Sequence, residues 1–319
     1  MSFVNQPNST GVRSLPIRQC LGPAGETCIV ALAWHVDGEA GVIAAAPEAA
    51  WHLTALSEGS YGVSTALPRI LQMHRDLGIP GTFFVPGYVA ELHPQAVEAI
   101  VADGHEVAHH GYRHENCFPL DLNAQREIFQ KGTEALRHLI GRDPLGWSAP
   151  CWGVNPDTLN LLYELGFRYD CSLMEYDRPY WLAIPQGHLL ELPISMVLDD
   201  WGIFGGSPYS GTGVNGTAES AYQIWREEFE GIHHYGGFFS TSFHPNLTGR
   251  PGRLRMLYRL IEYMQSFERV WWATCGEVAE YIQHHYPVDP SSKNCERLPS
   301  QRRLAGEGAS TIDITSSAL

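Results

Sequence analysis

The chain reads as an α/β protein whose mainly parallel sheet closes, or nearly closes, into a (β/α) barrel. Short apolar, β-rich runs alternate with amphipathic helical stretches from one end to the other. Most helical stretches carry their own start and stop residues. The residues able to do chemistry, histidines above all, fall just after the apolar runs, at the carboxyl ends of strands where a barrel collects its site.

Cys28 to Trp34 is the first strand, closed by Trp34-His35-Val36-Asp37-Gly38-Glu39. Ser64 is expected to cap a helix running to Leu77, stopped by Gly78, and Gly81 to Pro86 is the next β-rich run. Pro94 to Asp103 is a helix with Val97, Ile100 and Val101 on one face, and Asp103-Gly104 ends it. Asn123 opens a helix ending at Gly141, and Asn155-Pro156 opens another ending at Gly166. Phe167 to Cys171, Leu189 to Ile194, Gly237 to Phe243 and Val270 to Ala273 supply later strands, and Thr274 with Glu277 forms a capping box for a last helix. Residues 1–25 read as an N-terminal arm, 26–289 as the catalytic domain, and 290–319, rich in Ser, Thr, Gly and Arg, as a flexible tail.

Gly104 to Glu115 is the densest chemical signal, with His105, His109, His110 and His114 in ten residues. Histidine is the commonest metal ligand. His105-Glu106-Val107-Ala108-His109 spells the zinc-protease helix, but it follows a helix stop and should be a short strand. In a strand His105, Val107 and His109 share one face while Glu106, Ala108 and His110 share the other, so that pairing fails. The second pairing is His110 with His114, where Gly111 turns the chain so that both rings can converge on one ion; taken alone, the segment also reads as a solvated His-rich loop.

Three more fragments accompany this one in a recognisable order of motifs: the His35 to Asp37 strand end before it, and Trp147-Ser148-Ala149-Pro150-Cys151-Trp152 and Phe243-His244-Pro245 with its extension to Arg253 after it. Together with His110-Gly111-Tyr112-Arg113-His114, they make the chain resemble the polysaccharide deacetylase (NodB-homology, carbohydrate esterase family four) superfamily over roughly residues 26 to 285. It looks closest to the branch of peptidoglycan deacetylase-like proteins, cyclic imidases and cofactor-independent allantoinases. The resemblance implies the distorted (β/α) barrel of the NodB-homology type.

It also implies roles. Asp37, His110 and His114 match the ligands of one divalent metal per chain, expected to be zinc. Two imidazoles and a carboxylate leave a position open for water, whose pKa the metal lowers. In the family two aspartates end the first strand, base then ligand, and His35 stands where the base belongs. The family's arginine before Ala-Pro, which orients that base, is Ser148 here. An imidazole base needs no neighbouring cation, so the two departures are chemically consistent. His35 as a further metal ligand is the alternative. His244 matches the acid that protonates the leaving nitrogen, and Asp170 resembles the carboxylate that tunes it, with a turn role as the other reading. Trp152, Tyr180, Trp181 and Trp201 are expected in rim loops as walls for a planar substrate. Glu39 and Glu115 each sit beside a ligand and are expected to orient an imidazole or face solvent.

A formal net charge of −14 over 319 residues excludes nucleic acid and anionic membrane as main partners and favours a small or neutral substrate. Seven cysteines without a repeated spacing, no apolar run of membrane-spanning length and no secretory leader point to a reducing, cytoplasmic setting. Ser317-Ala318-Leu319 approaches a peroxisomal address but lacks its basic middle residue. The leading function is metal-dependent opening of a C–N bond in a small cyclic imide, ureide or amide. De-N-acetylation of an amino sugar or glycan is the second, and a non-catalytic binding protein on the same fold the third. A homo-oligomer is expected from the resembled branch.

Overall fold

A computed structural model describes residues 12–17, 22–206 and 215–288. Its strands are β1 (Arg13–Pro16), β2 (Cys28–Ala31), β3 (Ala33–His35), β4 (Thr82–Val85), β5 (Glu106–His109), β6 (Gly146–Trp147), β7 (Tyr169–Asp170), β8 (Tyr180–Ile184), β9 (Gly187–Glu191), β10 (Gly237–Ser240) and β11 (Val270–Trp272). One sheet runs β1-β8-β9-β7-β6-β5-β4-β3 and a second runs β10-β2-β11. β2 and β3 are one extended run interrupted at Leu32, so a single stretch of chain serves both sheets. Parallel bridges from Trp34 to Phe243 and from Asp199 to Ser242 close the ring at one end. β8 pairs antiparallel with both β1 and β9, and the other neighbouring strands are parallel.

Side chains alternate across these strands with a period of two, and the alternation decides which residues can meet. Ile29, Ala31, Ala33, Phe84, Ala108, Tyr169, Cys171, Leu190, Leu192 and Phe238 fill the barrel interior. Val30, Leu32, Trp34, Phe83, Val107 and Phe239 point outward under the helices. His35, His110 and His244 continue the inward series at the carboxyl ends of β3, β5 and β10. At the opposite end of the interior, the buried Glu106 accepts hydrogen bonds from Thr82 Oγ1, Tyr169 Oη and the Gly276 amide.

The helices largely follow their caps. Asn155 and Thr158 form a capping box on Pro156–Glu164, and Thr274 and Glu277 form another on Cys275–His285. Two expected starts are corrected. Helix Leu122–Ile140 is capped by Asp121, whose side chain accepts from the Ala124 amide, rather than opened by Asn123. Ser64 caps nothing: a helical run begins at Leu53, passes through a π turn at Gly62–Ala66 and continues as Leu67–Leu77, while the Ser64 hydroxyl bonds the Ser60 carbonyl one turn back. The expected N-terminal arm contains β1, which pairs with β8. The expected tail at 290–319 lies outside the described residues. No helix among the described residues is long and apolar enough to cross a membrane.

Candidate active site

The histidines and Asp37 at the rim sit at or just past strand ends. Asp37 follows β3; His110 and His114 follow β5. Gly111 takes a positive φ of 74° to make that turn, which brings the two rings to a centroid separation of 5.0 Å. Glu115 holds the turn by accepting from the amides of Tyr112 and Arg113. It therefore orients backbone, not an imidazole. Glu39 does meet an imidazole, at 2.9 Å, but it is that of His93 and not of His110 or His114.

The ligand atoms of Asp37, His110 and His114 all lie within 4.8 Å of one another. His110 Nδ1 is 2.7 Å from the Ser148 carbonyl oxygen, which can only accept, so Nδ1 carries the proton and Nε2 presents a lone pair. That lone pair stands 3.5 Å from Asp37 Oδ1, and His114 Nε2 stands 3.4 Å from Asp37 Oδ2. Asp37 Oδ1, His110 Nε2 and His114 Nδ1 are buried with no hydrogen-bond partner among the described residues. Burial holds His110 down to about 3 and therefore neutral. Burial would raise the Asp37 carboxyl, but His114, His244 and His110 outweigh it and keep it well below the usual carboxylate range. A carboxylate facing two imidazoles, with Asp37 Oδ1 and His110 Nε2 unpartnered across 3.5 Å, fits a divalent cation.

Two further histidines flank this cluster. His35 is buried against His110, Phe84, His244 and Trp152, at ring separations of 4.5, 5.3, 5.4 and 5.5 Å. Burial first, then His110 and His244, hold it neutral, with Asp37 opposing. His244 Nδ1 is 2.6 Å from Asp200 Oδ1, and its Nε2 faces Asp37 Oδ2 at 3.5 Å. Burial pulls His244 down, but the Asp200 contact, with Asp37 and Asp199 behind it, lifts it to about 10.

Asp200, not Asp170, is thus the carboxylate on His244. Asp170 fails by strand parity: its neighbours Tyr169 and Cys171 point into the barrel, so it points out, where it accepts from Ser172 Oγ at 2.6 Å. Asp200 also accepts from the His244 amide and from Thr248 Oγ1. The doublet Asp199-Asp200 ahead of Trp201 was the available sequence signal. Asp199 accepts from the Trp152 indole N–H at 3.2 Å and from the Trp201 amide.

Of the expected aromatic walls, Trp152 faces His35 and Trp201 faces His244 at 5.6 Å, with Trp201 49% exposed. Tyr180 is corrected: it lies in β8, fully buried, in the outer core with Trp147 and Leu189. Trp181 points to the interior core, its indole donating to the Tyr286 carbonyl. Ser148 acts with both its ends, the carbonyl on His110 and the hydroxyl on the Cys171 carbonyl.

Residues 58–169 match the polysaccharide deacetylase family. The chain is 29% identical over 254 residues to the peptidoglycan deacetylase of Helicobacter pylori, covering 70% of this chain and 86% of that one. Among solved structures it is similar to Puue allantoinase, at 25% identity and a TM-score of 0.75, covering 91% of this chain and all of that one. It is similar to a putative polysaccharide deacetylase from Mycobacterium smegmatis at 37% identity and a TM-score of 0.85, covering 91% of this chain and 100% of the other. With likeness of that extent in both sequence and barrel, the chain belongs to the polysaccharide deacetylase family and has its (β/α)-barrel-like fold.

Proposed function

We propose that the protein is a metal-dependent hydrolase that opens the C–N bond of a compact, planar amide, imide or ureide. One observation carries this reading: two imidazoles flank the same Asp37, His110 and His114 cluster, His35 buried against the His110 and His244 rings and His244 held at Nδ1 by Asp200. Hydrolysis of a C–N bond needs an acceptor for the proton of the attacking water and a donor for the departing nitrogen. A divalent ion, zinc being the first to try, would be held by Asp37, His110 and His114, and when bound it supplies polarisation of the carbonyl and a lowered pKa for water.

The protein's own residues do the rest. His35 takes the proton as the C–O bond forms, and Asp37 stabilises the resulting imidazolium. His244 Nε2 then gives its proton to the nitrogen as the C–N bond breaks, while Asp200 on Nδ1 fixes the ring and balances its charge. Trp152, held by Asp199, and Trp201 bound the cluster on two sides, an arrangement suited to a flat ring. Similarity to Puue allantoinase over the whole of that chain supports the compact substrate.

The likeness to the Helicobacter pylori peptidoglycan deacetylase favours a second reading, removal of an N-acetyl group from an amino sugar. Zinc-loaded protein assayed on cyclic imides, allantoin and N-acetylglucosamine oligomers separates the two. Ring opening without acetate supports the first, acetate release the second. Turnover of none by metal-loaded protein would remove both and leave a binding protein on this barrel.

A further inference from the structure

Behind His110, on the outer face of the barrel, four side chains form one row across four strands. Trp147 of β6 opposes Asp170 of β7, Asp170 opposes Glu191 of β9, and Glu191 opposes Tyr180 of β8. Opposed residues of neighbouring strands project to the same face, and all four are fully buried. Asp170 Oδ2 and Glu191 Oε2 have no hydrogen-bond partner among the described residues. Besides burial, Asp170 feels Glu191, Ser172 and the Cys171 amide, and Glu191 feels Asp170 and the Leu173 and Ser172 amides, so no cation compensates either. Two buried carboxyls placed side by side cannot both ionise, so they hold a proton between them.

Their other oxygens are committed. Asp170 Oδ1 accepts from Ser172 Oγ, and Glu191 Oε1 accepts from the Ser172 and Leu173 amides, each at 2.9 Å. Ser172 Oγ in turn accepts from the Ala149 amide at 2.9 Å, next to the Ser148 carbonyl that receives the His110 proton. From these links we propose that the Asp170–Glu191 pair is the positioning element for His110: through Ser172 it clamps the 148–149 loop, whose carbonyl aims the imidazole at Asp37. This rests on the assignment of Asp37, His110 and His114 as metal ligands.

The test uses the full chain. Zinc affinity is measured by chelator competition, the protonation of the His110 ring nitrogens is read from their 15N shifts in metal-free protein, and a thermal melt is recorded for each variant. Ser172→Ala cuts the link while leaving both acids in place. The expected result is a loss of zinc affinity on the order of tenfold, with His110 no longer held in its Nδ1-protonated form. Glu191→Gln keeps the acceptor for the two amides and offers Asp170 a donor, so its zinc affinity should stay within about twofold. A Ser172→Ala protein that melts early but binds zinc like wild type, with an unchanged His110 ring, would overturn the proposal and leave the pair a packing feature. If wild type takes up no zinc, the metal assignment falls by itself, and the His110 ring shifts still decide the positioning role.

Discussion

Asp200 touches no position where substrate would react, yet it fixes the state of the group that does. Its two oxygens meet His244 Nδ1, the His244 amide and Thr248 Oγ1, so the ring can turn only one nitrogen to the cluster. Asp200→Asn replaces one acceptor oxygen with a donor and removes the charge that favours the cationic ring. We expect kcat to fall by about 10²- to 10⁴-fold with KM and zinc content nearly unchanged, checked by steady-state kinetics and elemental analysis. His35→Ala is expected to lower kcat with about one zinc per chain retained; loss of the zinc would make His35 a ligand instead of a base. His110 and His114 were legible because their signal is local: a strand, one glycine, and two rings four positions apart. Asp200 was not, because its partner lies 44 residues on and an Asp ahead of Trp201 reads equally well as a helix cap.

Strand ends aim these residues, and helices fix the strand ends. Helix Leu53–Tyr61 approaches the end of the loop after β3, where helix Gly38–Ala45 starts, so closely that a Cβ at Gly59 would collide with the Gly38 carbonyl oxygen and the Glu39 amide. Both are backbone atoms next to Asp37, and neither can swing aside. Gly59→Ala should therefore cost about 1–3 kcal/mol and displace Asp37, seen as a lower melting temperature together with weaker zinc binding. A melt drop with zinc affinity intact would mean that the helix yields and the loop does not. The alternation that put His35, Ala33 and Ala31 on one face was readable from residue order. The pairing of β8 with β9 was harder to see, because Tyr180 and Trp181 sit in a run with Pro179 before it and aromatics on both faces, a pattern that a rim loop shares. Asp170 could have been excluded by parity alone, since Tyr169 and Cys171 on either side of it take the interior.

The acid row also links the barrel's stability to pH. Burial raises Asp170 to about 6, and burial with Asp170 beside it raises Glu191 well above its ordinary value; Tyr180 faces the same pair, and Cys171, pointing to the opposite face, feels its charge. Both carboxyls hold protons more tightly when folded, so their contribution is fully present below the unfolded values near 4 and is lost as pH climbs through about 6 and beyond. Buried His35 and His110, held neutral, gain stability over the same range, so the pair is read in the difference: from pH 5 to pH 8 the stability increment should be more favourable in Glu191→Gln than in wild type, measured by calorimetry at both pH values. An equal increment in the two proteins would show that the pair carries both charges without cost.

One run of chain, Cys28 to His35, takes part in both sheets, pairing with β10 and β11 through its first half and with β4 through its second. The stretch matched at 58–169 holds His110 and His114 but not this run, Asp37 or His244, so it cannot by itself assemble the cluster. The run is the centre of the smaller sheet through β2 and the edge of the larger one through β3, so its loss disturbs both. Amide hydrogens from Ile29 to Trp34 should therefore exchange with solvent deuterium only when the entire barrel opens, and should rank among the slowest in the protein.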